Sequence, residues 1–262
     1  MKFCLSNRQP IDILKKADEI KIEMRDFRAI PEYLEKYPNK TLILEMENNI
    51  PSDFNWDIIK KYSDILNGNF YCAFSNIQQV NECSNRGIKF YYKYPVTSFY
   101  ELEGLKELGV SYALIGIPLI FNLDKVSEYN IPLRVVPNIA YEPYIPHKDG
   151  VCGQWIRPED LEKYGKYIDA VEFYHKDLRQ ETALYHIYAE NKSWPGDLKL
   201  LIENLNFSCD NRLIYDADNF AERRMNCKQK CLEGRFCTYC YNQLNSEQII
   251  RKYIDYKSNI DF

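Results

Sequence analysis

Short apolar runs rich in β-branched and aromatic residues alternate along the chain with longer stretches whose apolar positions recur at spacings of three and four. The first period is that of a buried strand and the second that of a helix with one face turned inward. Glu19–Met24 leads to a helical Phe27–Tyr37, Thr41–Glu47 to Asn55–Leu66, and Phe70–Ser75 to Ile77–Ser84. Ile88–Pro95 leads to Ser98–Leu108, and Ser111–Ile117 to Asp124–Tyr129. Leu133–Asn138 runs into a loop, and a helical Pro158–Lys166 precedes the strand-like Asp169–Tyr174. A long helical segment, Leu178–Asn191 and Gly196–Leu205, follows.

The punctuation agrees with this reading. Gly87, Gly109 and Asn130 stand just after helical runs, where a left-handed cap residue belongs. Ser98 and Asp124 stand where a helix would begin, and Pro158 suits a first helical position. Strands and helices alternating at this pace imply parallel strands joined by right-handed crossovers. Lys2–Ser6 or Asn211–Tyr215 would complete a set of eight strands. The expected fold is therefore an α/β (β/α)8 barrel of the TIM type. An open doubly wound sheet is less well matched, because no Gly-x-Gly-x-x-Gly turn follows an early strand. The expected organisation is a barrel over residues 1–218 and a cysteine-rich tail over 219–262 packed on it.

Length and charge narrow the field further. The 262 residues suit one barrel of about 250 residues. A net charge of −4 gives no overall electrostatic drive toward nucleic acid or anionic lipid. No stretch approaches the roughly 20 apolar residues of a membrane span, and the first residues lack the apolar core of a secretion signal. A cytoplasmic location is expected, in a cell or in a virus-infected one, with no membrane partner.

The nine cysteines add a candidate chemistry. Cys4, Cys72 and Cys83 lie in apolar patterns and read as buried free thiols. Cys227, Cys231, Cys237 and Cys240 form one short run, and four thiolates so close in sequence are gathered at small entropic cost around one ion or cluster. Structural zinc is the first expectation, an iron–sulfur cluster the second, and unmetallated thiols or disulfides the third. Cys152 or Cys209 could join such a site. Arg223, Arg224, Lys228, Lys230 and Arg235 crowd the same tail. They would offset the charge of a four-thiolate site, or contact nucleic acid.

A barrel presents its reactive groups at the carboxyl ends of its strands. Those ends carry Glu23, Arg25 and Asp26; Glu45 and Glu47; Ser75 and Asn76; Lys93 and Tyr94; Asn138; and Glu172 with His175. Glu45 and Glu47 alternate along a strand and so can face one side, beside Lys93, for acid–base work or for a divalent cation. An ion-pair layer without chemistry would use the same residues. Glu45, Glu47, Lys93 and His175 are the candidate catalytic residues; His186, inside a helical run, reads as a surface or packing residue. The loop from Tyr141 to Trp155 is long and rich in aromatic residues and proline, as lids and binding surfaces often are. Within it, Cys152-Gly-Gln-Trp155 reads as a thiol facing the site or as a turn that buries Trp155.

The helix-then-strand unit Ser98–Val126, with Glu101–Val110 and then Ala113–Pro118, the stretch Asp160–Tyr174, and the Cys-x-Gln-x-Cys element at Cys227–Cys231 resemble the collagenase-like peptidase family. That resemblance implies a barrel-type fold. It also implies a four-cysteine iron–sulfur site, since several members use one to assist hydroxylation of RNA bases or ubiquinone, while others are proteases. Family ligands would correspond to Cys227 and Cys231. Cys237 and Cys240 have no clear counterpart, because the family spreads its cysteines along the chain. The leading expectation for function is a barrel with a stabilising zinc knuckle that binds a small ligand or protein partner at its strand-end mouth. An iron–sulfur enzyme modifying a nucleic acid or cofactor is the second, and a non-catalytic phage-type accessory protein the third.

Overall fold

A computed structural model describes residues 1–226, apart from 49, 51–52, 117–118, 140–154, 175–176, 191–192, 204, 206–210 and 214–216. The chain divides into two compact units.

The first unit comprises Met1–Ile115, Tyr129–Val135 and Ile168–Glu172. Its strands are β1 (Lys2–Ser6), β2 (Glu19–Glu23), β3 (Thr41–Glu45), β4 (Phe70–Phe74), β5 (Lys89–Val96), β6 (Tyr112–Ile115), β7 (Leu133–Val135) and β8 (Ile168–Val171). They form a closed parallel barrel in sequence order. Closure comes from Lys2 and Phe3 pairing with Ala170 and Val171. Lys2–Ser6 thus supplies the strand that the sequence left open, whereas Asn211–Leu213 is a 3-10 turn. Helices α1 (Ile11–Leu14), α2 (Ile30–Lys36), α3 (Trp56–Ile65), α4 (Ile77–Arg86) and α5 (Phe99–Glu107) fill the connections from β1 to β6.

Alternation along each strand divides the side chains between two buried faces. One face, with Leu5, Ile20, Ile22, Leu42, Leu44 and Phe70, is fully withdrawn from solvent. The other lines the barrel with Cys4, Ile43, Tyr71, Ala73, Tyr91 and Tyr112. Cys4, Cys72 and Cys83 are buried free thiols, as expected. The helix boundaries follow local chemistry. Asn55 and Asn76 cap α3 and α4, and Ser98 forms a capping box with Glu101 at the start of α5. Gly87 (φ 63°), Gly109 (φ 70°) and Asn130 (φ 55°) take the left-handed conformation that ends helical runs.

The second unit comprises Gly116–Glu128, Val136–Tyr167 and Phe173–Phe262. It carries α6 (Leu123–Ser127), α7 (Leu161–Tyr164), α8 (Leu178–Ala189) and α9 (Ala217–Met225). Asn122, one residue before α6, takes the cap position expected of Asp124. Pro158 opens a 3-10 turn, Pro158–Asp160, that runs into α7. Trp155 is fully buried against Phe220 (ring centroids 5.8 Å) and under the Arg224 guanidinium (4.2 Å). The Tyr188 hydroxyl donates to the Ile156 carbonyl at 2.8 Å.

The helix expected over Gly196–Leu205 is only a 3-10 turn, Leu198–Leu200. The Asp197 carboxylate accepts from the Lys199 amide, and the Glu203 amide donates to the Asn138 carbonyl at 2.8 Å. That donor is therefore taken out of a helical ladder. The α9 helix runs through position 219, where the sequence placed the domain boundary.

Candidate active site in the barrel

The barrel interior is not an apolar plug. Glu19 and Lys21 project into it from β2, Arg134 from β7, and Glu172 from the residue after β8. Together they form a chain of alternating charge along the barrel. Lys2 Nζ lies 3.7 Å from Glu19 Oε1, and the second oxygen of Glu19 pairs with the Arg134 guanidinium. Arg134 Nη1 donates to Glu172 Oε1 at 3.0 Å, and Lys21 Nζ to Glu172 Oε2 at 3.2 Å. Glu45, the last residue of β3, stands 3.7 Å from Lys21 and 4.0 Å from Lys93 of β5. Lys93 Nζ also donates to the Met46 carbonyl at 2.8 Å.

Aromatic residues pack this chain. The Arg134 guanidinium lies 4.3 Å from the Tyr112 ring centre and 4.8 Å from that of Tyr91, distances at which cation–π attraction operates. The Tyr91 hydroxyl donates to Glu172 Oε1 at 2.7 Å. Arg134 and Glu19 are both wholly inaccessible to solvent, so their charges must be answered inside the protein. They are answered incompletely, since Arg134 Nε and Glu19 Oε1 find no hydrogen-bond partner.

The electrostatics differ along the chain. Burial opposes ionisation of Glu172, but the Lys21 and Arg134 charges with the Tyr91 hydrogen bond outweigh it and hold its carboxyl down at about 2. For Glu19 burial wins over the Arg134 charge, and its carboxyl is pushed up. Burial also works against the Lys21 ammonium, yet Glu172 and Glu45 more than offset it and raise Lys21 well above the usual lysine value. Lys21 is therefore a cation at neutral pH and not a ready amine nucleophile. Toward the mouth, Glu45 accepts no hydrogen bond from a described residue, and its side chain is 31% exposed. It is a carboxylate between two ammonium groups with lone pairs left for a ligand.

The structure brings Glu45 and Lys93 together. Glu47 lies beyond the end of β3 and is exposed; its amide donates to Met24 Sδ at 3.4 Å, and its carbonyl accepts from the Gln79 amide at 2.6 Å. Among the described residues Glu47 forms no ion pair. His175 lies outside the described residues, as do Cys152, Cys209 and the four candidate metal ligands Cys227, Cys231, Cys237 and Cys240. His186 is a half-buried residue of α8, with Nδ1 of its ring 3.2 Å from Glu190 Oε1. Glu19, Lys21 and Arg134 were not singled out from the sequence. The available signal was Glu19-Ile-Lys-Ile-Glu23, three charges at alternate positions, which inside a closed barrel face one another across the interior.

No family model matches the chain, and no curated protein sequence does. Among solved structures, the 3-keto-L-gulonate-6-phosphate decarboxylase of Vibrio cholerae aligns over 74% of this chain and 100% of its own, at 12% identity and a TM-score of 0.44. The 2-keto-3-deoxy-6-phosphogluconate aldolase of Zymomonas mobilis, solved with 3-phosphoglycerate, aligns over 73% of this chain and 92% of its own, at 12% identity and a TM-score of 0.41. The expected function, a zinc-stabilised binding barrel with an iron–sulfur or accessory alternative, is corrected by these findings. The structural neighbours are a decarboxylase and an aldolase. Among the described residues, no group of three or more His, Cys, Asp and Glu side chains is placed to hold a metal. No described helix is long and apolar enough to cross a membrane.

Proposed function

We propose that the barrel is an enzyme for a small anionic substrate, a carboxylate or a phosphate ester, bound at the carboxyl ends of β2, β3 and β5. Lys21 and Lys93 anchor the anion, and Glu45 takes a proton from carbon beside a carbonyl. The two ammonium groups then face the negative charge that develops on oxygen, where preformed charges contribute most to rate. The observation that carries this reading is the Glu45 carboxylate, part-exposed, free of hydrogen bonds from described residues, and flanked by ammonium groups at 3.7 and 4.0 Å. A layer built only for stability would close such a carboxylate with direct hydrogen bonds, as Glu172 is closed by Tyr91, Arg134 and Lys21.

The test is a thermal-shift panel of phosphorylated and carboxylated metabolites against the parent protein and the K21A/K93A double variant. Ligands that stabilise the parent lose their effect in the double variant. For a bound ligand with an acidic carbon, the parent exchanges that proton with D2O, read by NMR, and E45Q does not. Ligand stabilisation that survives the loss of both lysines overturns the reading.

A further inference from the structure

We propose that Glu172 is a positioning residue which, held from behind by Arg134 and Tyr91, directs the Lys21 ammonium toward Glu45. The proposal rests on Lys21 as a substrate anchor and adds what holds that anchor in place.

The two oxygens of Glu172 divide their partners. Oε1 accepts from the Tyr91 hydroxyl at 2.7 Å and from Arg134 at 3.0 Å, while Oε2 is left to Lys21 at 3.2 Å. Two donors from separate strands fix the plane of the carboxylate, and that plane fixes where its second oxygen points. Arg134 is itself held, paired with Glu19 and set against the rings of Tyr91 and Tyr112. Order thus passes from Glu19 to Arg134, to Glu172, to Lys21. A lysine left to itself distributes over many rotamers. Here carboxylates from the residue after β8 and from the end of β3 bracket the ammonium, Glu172 at 3.2 Å and Glu45 at 3.7 Å.

The ionisable groups around Lys21 are Glu172, Glu45 and the thiol of Cys4, with Arg134 behind Glu172 and Lys93 beyond Glu45. Removing the Glu172 charge leaves burial to act against the ammonium with one carboxylate fewer in opposition. Lys21 then releases its proton at lower pH.

Competitive acylation with acetic anhydride from pH 7 to 10, read by mass spectrometry of the Lys21 peptide, measures the neutral amine directly. The Lys21 side chain is 20% exposed, which leaves the reagent a path to it. In E172Q, Lys21 acylation at pH 8 rises about tenfold, while Lys93 keeps its parent rate. E172D, which retains the charge, restores most of the protection. Where E172Q does not fold, Y91F removes one of the two donors to Oε1, and Lys21 acylation rises by a smaller factor. Lys21 acylated at the parent rate in the folded variant overturns the proposal. So does a rise shared equally by Lys93 and the surface lysines, which marks general loosening.

The labelling needs no ligand, so it stands or falls independently of substrate binding. Binding of inorganic phosphate to the parent and its loss in K21A test the anchor separately.

Discussion

Arg134 in the barrel unit and Arg224 in the second unit are both buried, 0% and 2% exposed, and their described contacts lead to different places. Arg224 lies 4.2 Å from the Trp155 ring, with Phe220 and Phe121 at 5.4 and 5.6 Å, and donates to the Trp155 carbonyl at 2.6 Å. Arg134 also meets two aromatic rings, but it bridges two carboxylates that belong to a longer chain of charge. The contacts of Arg224 tie α9 to the segment around Trp155. Those of Arg134 end, through Glu172 and Lys21, at a part-exposed carboxylate. One arrangement joins pieces of chain, and the other leads to a part-exposed carboxylate, the base of the proposed function.

The comparison breaks most sharply at Arg134. R134M keeps much of the side-chain volume but leaves Glu19 and Glu172 buried without their shared cation, a loss of about 3–5 kcal/mol in urea unfolding. Replacing Glu19 by methionine in the same protein should recover part of that loss, because one cation and one carboxylate are then removed together while Lys21 and Tyr91 still hold Glu172. A double variant no more stable than R134M would show that packing against Tyr91 and Tyr112, and not charge balance, is what Arg134 supplies.

Acid provides the next largest effect. The Glu172 carboxyl is held at about 2 against its ordinary value of 4.5, so its contribution is complete above 4.5 and is lost as pH falls from there toward 2. Glu19 and Asp160 act in the opposite sense, because burial raises both carboxyls even though Arg134 and Arg157 oppose it. Their protonation on acidification relieves a cost. E172Q should therefore lose less stability than the parent between pH 5 and pH 2, by on the order of 2 kcal/mol. Parallel stability–pH curves for the two proteins would show that the pull of Lys21 and Arg134 on this carboxylate is weak.

These charges were legible in the sequence to different degrees, for physical reasons. The barrel followed from period, since alternating apolar runs and helical spacings are local properties. So were the ends marked by Gly87, Gly109, Asn130 and Ser98. Glu45 and Lys93 were found because they stand at strand ends, where a barrel displays its reactive groups. Glu19, Lys21 and Arg134 were hidden because alternate charges along a strand also describe a sheet with one face in water. Only closure turns that face inward. The partners of Arg134 lie 115 and 38 residues away, so no local window contains the site. The four-cysteine run is the plainest local motif of all, and it lies outside the described residues.

In the second unit, R224M removes a hydrogen bond from a charged donor and the stacking on Trp155, and keeps part of the apolar stem. The expected loss is about 2 kcal/mol. It should also leave ligand-induced thermal shifts unchanged, since the three lysine and glutamate side chains proposed to meet the substrate all belong to the barrel unit. A variant that melts like the parent but loses its ligand response would reverse the roles assigned to the two arginines.

The smallest stability effect and the largest functional one should coincide at Lys93. Its side chain is 17% exposed, its ion pair with Glu45 spans 4.0 Å, and among the described residues its hydrogen bond goes to the Met46 carbonyl. A pair of that length and accessibility contributes little, so K93A should cost under about 1 kcal/mol. Anion binding should nevertheless fall steeply, because Lys93 is one of only two ammonium groups near Glu45 among the described residues, and Lys21 is already committed to Glu172. Arginine at this position restores charge but not the compact ammonium, so K93R should bind the same anions more weakly than the parent and melt at nearly the same temperature. If K93A keeps the full ligand response, the mouth of the barrel holds its charge for stability, and the contrast between the two units becomes one of architecture alone.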